Sequence, residues 1–142
     1  MSQEPDAAPH SLAVRRGYPW RVLIVDDDEA SRKTAAALLS PAGYELVFAS
    51  NGHEALATVR EASPDLVLLD VMMPGMDGIE VCRRLRELSR DDYFPIVLLT
   101  ALDGRREVVL GLEAGADDFL PKPFSSHEMM RRVTWLLMSA GR

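Results

Sequence analysis

Short continuous apolar runs alternate along the chain with longer segments in which apolar residues recur every three or four positions. Runs such as "DLVLLD" (65–70) lack the alternation of a half-buried strand and are typical of strands covered on both faces. The five runs predicted to be strands are 21–26, 44–49, 65–70, 95–100 and 117–120. The segments predicted to contain the intervening helices are 28–44, 51–64, 77–88, 104–116 and 125–141. This strict alternation predicts an α/β fold, a doubly wound parallel sheet with helices on both faces.

Two of the predicted helices carry more apolar residues than one buried stripe requires. On the fourth helix, Val109 and Leu112 are predicted to face the core at i, i+3 spacing. On the last helix, Met130, Val133 and Leu137 form a core-like stripe. The remaining apolar residues, which form a candidate protein interface, are Val108, Leu110, Trp135 and Met138. The alternative is that these helices sit deeper or are rotated, so that the same residues belong to the core.

Composition is that of one soluble globular domain. The 142 residues are 47% hydrophobic and 27% charged, with a net charge of −6, which argues against nucleic acid as a direct ligand. Residues 1–19, with three prolines and no periodicity, are predicted to be a flexible extension before a domain at 20–140. The chain shows no signal-peptide core and no apolar run near the ~20 residues of a membrane span, so we expect a cytoplasmic protein with no membrane contact. The single cysteine, Cys82, fits a structural core thiol.

Chemistry-bearing residues end the predicted strands. Asp26-Asp27-Asp28, Asp70 and Thr100 close strands one, three and four, and Lys122 follows strand five. The carboxyl ends of parallel strands share one edge, where ligands of such sheets bind. Crowded carboxylates favour a bound cation, and oxygen ligands suit Mg²⁺, while lysine and threonine suit phosphoryl oxygens. An ionised Asp70 could then act as a nucleophile and form an aspartyl phosphate.

Each of these residues alone has a simpler explanation. Aspartates after strands are often helix N-caps, which is our interpretation of Asp28, and a lone Thr100 would also be a cap. The convergence of four strand ends favours the functional interpretation.

The motifs "VLIVDDDEASRK", "PDLVLLDVMMPGMDG", "PIVLLTAL" and "GADDFLPKPF" carry a resemblance. Residues 21–138 resemble the receiver domain of bacterial two-component response regulators. The resemblance implies a flavodoxin-like (βα)5 fold with strand order 2-1-3-4-5. The stretches "DVMMPGMDGIEVCRRLR" and "TALDGR" resemble single-domain receivers and receivers that precede cyclic-dinucleotide enzymes or histidine-kinase modules more than those of winged-helix transcription factors.

The resemblance also implies a role for each site residue. Asp70 would be the phosphorylated residue, and Asp26, Asp27, Asp70 and the backbone carbonyl of Met72 would hold Mg²⁺ or Mn²⁺. Thr100 and Lys122 would bind the phosphoryl group, with Phe119 as an aromatic switch and a cis bond before Pro123. Leu102 lies two residues after Thr100 and flanks the predicted site, and from this position we expect its apolar side chain to slow attack by water on the phosphoryl group.

The implied function is signalling rather than turnover. A sensor histidine kinase or phosphotransfer protein would donate the phosphoryl group to Asp70. The face formed by helix four, strand five and helix five would then bind a second copy or an effector protein.

Two enzyme classes are the alternatives. An aspartate-nucleophile phosphohydrolase of the haloacid dehalogenase type would need an acid two residues after Asp70, where Met72 stands, and a cap segment. A nucleotide-binding enzyme would need a G-x-G-x-x-G or G-x-x-x-x-G-K-[ST] stretch, and the sequence has neither.

Overall fold

Five parallel strands form one sheet, and their order across the sheet, numbered along the chain, is 2-1-3-4-5. The computed structural model describes residues 19–88, 93–101 and 104–140 of the chain. The strands are β1 (Arg21–Val25), β2 (Glu45–Ala49), β3 (Leu66–Asp70), β4 (Ile96–Thr100) and β5 (Asp118–Pro121). The helices are α1 (Glu29–Leu39), α2 (Gly52–Ala62), α3 (Gly78–Leu88), α4 (Arg105–Ala114) and α5 (Ser126–Ala140), and a 3-10 turn at Ser40–Ala42 follows α1. The predicted flavodoxin-like fold and its strand order are confirmed.

Helices cover both faces of the sheet, which explains the continuous apolar runs. All five residues of β3 and of β4 are buried. Successive side chains of a strand point to opposite faces of the sheet, so each strand contributes to two hydrophobic cores, one on each face. Leu69 and Leu98 pack on the side of α2 and α3, whereas Leu68 and Leu99 pack on the side of α1 and α5. The central strands therefore hold their carboxyl ends, and the residues that follow them, in fixed positions.

Side-chain caps fix where the first two helices begin. The Asp28 carboxylate accepts a hydrogen bond from the Ser31 amide at 2.9 Å, as predicted for an N-cap, and these bonds to Ser31 lower the pKa of Asp28. Asn51 caps α2 through the Glu54 amide, and the Glu54 carboxylate accepts in return from the Ser50 amide. These caps set the ends of the two loops beside the carboxyl edge of the sheet.

The inward face of α4 differs from the prediction. Val109 and Leu112, which we predicted to be core residues, are 50% and 46% exposed. The buried position is Gly111, where an added β-carbon would lie 1.9 Å from Cδ1 of Leu98. The helix thus contacts β4 through a glycine, and this close approach rotates its larger apolar residues outward. The prediction was wrong because apolar spacing gives no weight to a glycine as the contact point.

Cys82 is buried in the core on the α3 side. Burial raises the pKa of its thiol to about 11, so the thiolate is scarce at neutral pH. The predicted role as a packing residue agrees with both observations.

Some predictions concern residues that are not described. Residues 1–18 of the predicted extension and Leu102 lie outside the described ranges, so these remain predictions. Within the described ranges, no helix is long and apolar enough to cross a membrane.

The orientation of α4 can be tested by substitution. Gly111→Leu should lower the free energy of unfolding by about 1–3 kcal/mol because the side chain would overlap Leu98. Leu112→Gln should change it by no more than about 0.5 kcal/mol because the residue is exposed. Urea unfolding of both variants measures the difference. A larger loss for Leu112→Gln than for Gly111→Leu would contradict this orientation.

Candidate functional site

The carboxyl edge of the sheet gathers the predicted site residues. Asp26 directly follows β1, while Asp70 and Thr100 are the last residues of β3 and β4. These three side chains belong to residues that are only 2%, 5% and 2% exposed, whereas Asp27 is exposed. Carboxylate oxygens of Asp26, Asp27 and Asp70 all lie within 4.8 Å of one another. The sheet therefore holds three acidic groups together, two of them out of water.

Lys122 is the cation of this cluster. Its Nζ lies 3.3 Å from Oδ1 of Asp70 and 3.5 Å from Oδ2 of Asp26. The Lys122 amide donates to the carbonyl of Thr100 at 2.7 Å, which ties the end of β5 to the end of β4. The Lys122–Pro123 bond is cis, as predicted. Lys122 thus contacts two carboxylates through its side chain and is hydrogen-bonded to Thr100 through its backbone.

Backbone contacts fix the orientation of Asp26. Its Oδ1 accepts from the Asp28 amide at 3.0 Å, and its own amide donates to the carbonyl of Ala49 at 3.1 Å. The guanidinium of Arg32 donates to the Asp26 carbonyl at 2.7 Å. Sequence reasoning missed Arg32, although its place one turn into the helix after three aspartates was a signal for a contact with that loop.

Burial makes ionisation of Asp70 costly. It raises the pKa of the Asp70 carboxyl, and the nearby Asp26 charge adds to this, while Lys122 and the Met72 amide act in the opposite direction. The contact with Lys122 therefore offsets only part of the cost of ionising the buried Asp70 carboxyl. An all-oxygen donor set of this charge fits a divalent cation such as Mg²⁺.

A groove of about 530 Å³ opens beside Thr100, on the β5 side of α4. Phe119 is half-buried and lines this groove together with Thr100 and Val108. The structure thus brings the predicted switch residue Phe119 next to the hydroxyl-bearing residue, with open volume between them.

The predicted interface residues do not form one surface. Val108 lines the groove beside Phe119, but Leu110 lines a second groove of about 550 Å³ with Met72 and Met73. The two residues therefore lie on opposite sides of α4. On α5, Trp135 and Met138 are 66% and 64% exposed.

The raised pKa of Asp70 predicts how the free energy of unfolding depends on pH. The folded protein favours the protonated form of the Asp70 carboxyl. The contribution of this group to the free energy of unfolding is therefore fully present below its ordinary pKa of 3.8, and it is lost as the pH rises through the raised pKa of the folded protein. Asp70→Asn removes the charge, so in metal-free buffer it should raise the free energy of unfolding at pH 7 and have less effect at pH 4. Urea unfolding at both pH values measures this.

Asp28→Asn provides the matched control, because the pKa of Asp28 is lowered rather than raised. Its stabilising contribution is present above the ordinary value, so this variant should not gain stability at pH 7. A loss of stability at pH 7 for Asp70→Asn would contradict the prediction.

Comparison with known proteins agrees with these observations. A family model described as the response regulator receiver domain matches residues 22–134. Response regulator MprA of Mycolicibacterium vanbaalenii is 51% identical over 119 residues, which cover 84% of this chain and 51% of the relative. Response regulator MprA of Mycobacterium leprae is 51% identical over 117 residues, which cover 82% and 50%. The chain thus spans about half the length of the curated relatives it matches.

Solved structures of receivers are also similar. A putative response regulator from Chloroflexus aurantiacus is 39% identical, with a TM-score of 0.81 over 85% of this chain and 99% of that one. The chemotaxis protein CheY4 of Vibrio cholerae is 33% identical, with a TM-score of 0.78 over 84% and 99%. The comparisons lend no support to the phosphohydrolase alternative, and the finer resemblance to receivers of cyclic-dinucleotide enzymes stays a prediction. The chain belongs to the response regulator receiver domain family.

Proposed function

We propose that this domain accepts a phosphoryl group on Asp70. The observation that carries the proposal is the contact of one lysine, Lys122, with both buried carboxylates at a sheet edge that also holds Thr100. A carboxylate oxygen of Asp70 attacks the phosphorus of a phosphohistidine, the N–P bond breaks, and the imidazole leaves as the phosphoryl group becomes an acyl phosphate. Water later attacks that phosphorus and releases inorganic phosphate and the free carboxylate.

Each neighbouring residue has a role in this transfer. Lys122 offsets negative charge on the phosphoryl oxygens, and the Thr100 hydroxyl donates to one of them. Asp26, Asp27, Asp70 and the backbone carbonyl of Met72 are the groups that would hold Mg²⁺ or Mn²⁺. When bound there, the metal would neutralise part of the negative charge on the transferring group. Asp27 is the exposed member of the cluster, which leaves the site open to a donor.

The phosphoryl group would act as a switch. It adds about −1.5 to −2 charges at pH 7, which draws Thr100 and Lys122 towards Asp70. Movement of Thr100 enlarges the groove beside Phe119 and lets the ring turn inward. Because Val108 of α4 lines the same groove, α4 would move with the ring.

The donor would be a histidine kinase or a phosphotransfer protein, as the family implies. The domain modifies itself and hydrolyses its own acyl phosphate, so it functions as a signalling protein and not as a turnover enzyme.

We also propose that the switched face binds a second copy of the chain or an effector protein. Leu112 lies four residues after Val108 and therefore on the β5 side of α4, where it is 46% exposed. On α5, Arg132 donates to both carboxylate oxygens of Asp118 at 2.8 and 2.9 Å, and the exposed Trp135 lies one turn further along the helix. This face combines exposed apolar residues with a charged pair, as protein interfaces do.

Phosphate incorporation tests the acceptor. With acetyl phosphate and Mg²⁺, Asp70→Asn should abolish the phosphorylated band on a phosphate-affinity gel because the nucleophilic oxygen is replaced by an amide. Asp28→Asn should still be phosphorylated, because Asp28 lies in the same run of aspartates as Asp26 and Asp27 but its carboxylate caps α1. Retained phosphorylation of Asp70→Asn would overturn the proposal.

Light scattering tests whether the face formed by α4, β5 and α5 binds a second copy of the chain. In the presence of beryllofluoride, we expect a higher mass for the unsubstituted protein and a monomer for Leu112→Ser. Leu110→Ser is the matched control, since Leu110 is similarly exposed on the opposite side of the same helix and should not change the mass. A strict monomer of the unsubstituted protein at high concentration, with and without beryllofluoride, would exclude a second copy as the partner.

A further inference from the structure

The first residue of α3, Gly78, lies against the backbone of the proposed phosphoacceptor. An added β-carbon at Gly78 would lie 2.4 Å from the carbonyl oxygen of Asp70 and 2.7 Å from Cα of Val71. The Gly78 amide also donates to the carbonyl of Val71 at 3.0 Å. The start of α3 is thus packed directly on the peptide that joins Asp70 to the following loop.

Neither the Asp70 peptide nor the start of α3 is free to move away from the other. Asp70 ends a buried strand, and the Val71 amide continues the sheet by donating to the carbonyl of Leu99 at 3.1 Å. On the other side, α3 is fixed by buried Ile79 and Cys82 in its first two turns. The segment between these two anchors is the loop 71–77, which carries the Met72 carbonyl. A side chain at position 78 would therefore displace this loop or rotate the Asp70 peptide.

We propose that Gly78 is a positioning residue for the site, which sets the orientation of Asp70 and of the Met72 carbonyl by allowing α3 to touch the strand end. The inference rests on the proposed function of Asp70. Mg²⁺ demands near-ideal octahedral geometry, so a shift of about 0.5 Å or more in these oxygens disturbs its binding. Supporting residues of this kind change metal affinity or activity by about 10–100-fold when they are replaced.

Gly52 provides a matched comparison within the same chain. It is likewise the first residue of its helix, α2, and it is also buried. Its added β-carbon would meet side-chain atoms, Cγ2 of Val81 at 2.8 Å and Sδ of Met76 at 2.9 Å, and no backbone of the acidic site. Met76 lies in the loop 71–77, but the added carbon would meet its flexible side chain and not the loop backbone. Gly52→Ala should therefore affect packing and stability while leaving the Asp70 peptide in place.

The experiment compares Gly78→Ala and Gly52→Ala with the unsubstituted protein. Urea unfolding in metal-free buffer gives the stability of each, amide NMR shifts during a Mg²⁺ titration give the Kd, and acetyl phosphate labelling gives the rate. Gly78→Ala should raise the Mg²⁺ Kd and lower the rate by about tenfold or more, while Gly52→Ala stays within about threefold on both. Near-normal Mg²⁺ binding by folded Gly78→Ala would overturn the inference. Failure of the unsubstituted protein to be labelled would instead overturn the proposed function.

Hydrogen exchange of the unsubstituted protein keeps the inference testable if Gly78→Ala does not fold. Mg²⁺ held by the Met72 carbonyl would restrain the loop 71–77, so exchange of the Gly78 amide should slow by about tenfold on adding Mg²⁺. The Ala55 amide, which donates to the carbonyl of Asn51 in the first turn of α2, is the internal control and should change much less. Equal changes at Gly78 and Ala55, or none at Gly78, would overturn the inference.

Discussion

The structure depends on holding two carboxylates, Asp26 and Asp70, side by side and out of water. Burial and the neighbouring Asp26 charge both oppose ionisation of Asp70, and the contact with Lys122 offsets only part of this cost. Such a site gains from any additional positive charge and from a chemical step that consumes the carboxylate. The same imbalance explains both the fit to a divalent cation and the reactivity that we propose for Asp70.

The sheet makes this unfavourable arrangement possible because its centre is rigid. β3 and β4 are buried throughout, so their last residues cannot relax away from one another. An open groove of about 530 or 550 Å³ lies on either side of the first turns of α4, while Gly111 holds the middle of this helix against Leu98. A rigid acidic edge next to a helix end that is flanked by grooves is an arrangement in which a local change of charge can be converted into a movement of one surface element.

Much of the fold and the site could be predicted because both are determined by local patterns. Continuous apolar runs identify the strands, and topology then brings Asp26, Asp70 and Lys122 to one edge. The orientation of α4 could not be predicted, because the contact of Gly111 with Leu98 is a matter of close packing that apolar spacing does not encode. Arg32 was missed for a related reason: its place after three aspartates signals a contact with the acidic loop, but its partner is a backbone carbonyl, which no side-chain motif identifies.

The most direct test of the central claim is to locate the acyl phosphate itself. After reaction with acetyl phosphate and Mg²⁺, borohydride reduction converts a phosphorylated aspartate into homoserine, which peptide mass spectrometry can assign to a position. We expect homoserine at Asp70, in the peptide that contains β3. Homoserine at Asp26 or Asp27 would contradict phosphorylation of Asp70. The absence of homoserine from a folded protein that has bound Mg²⁺ would contradict it as well.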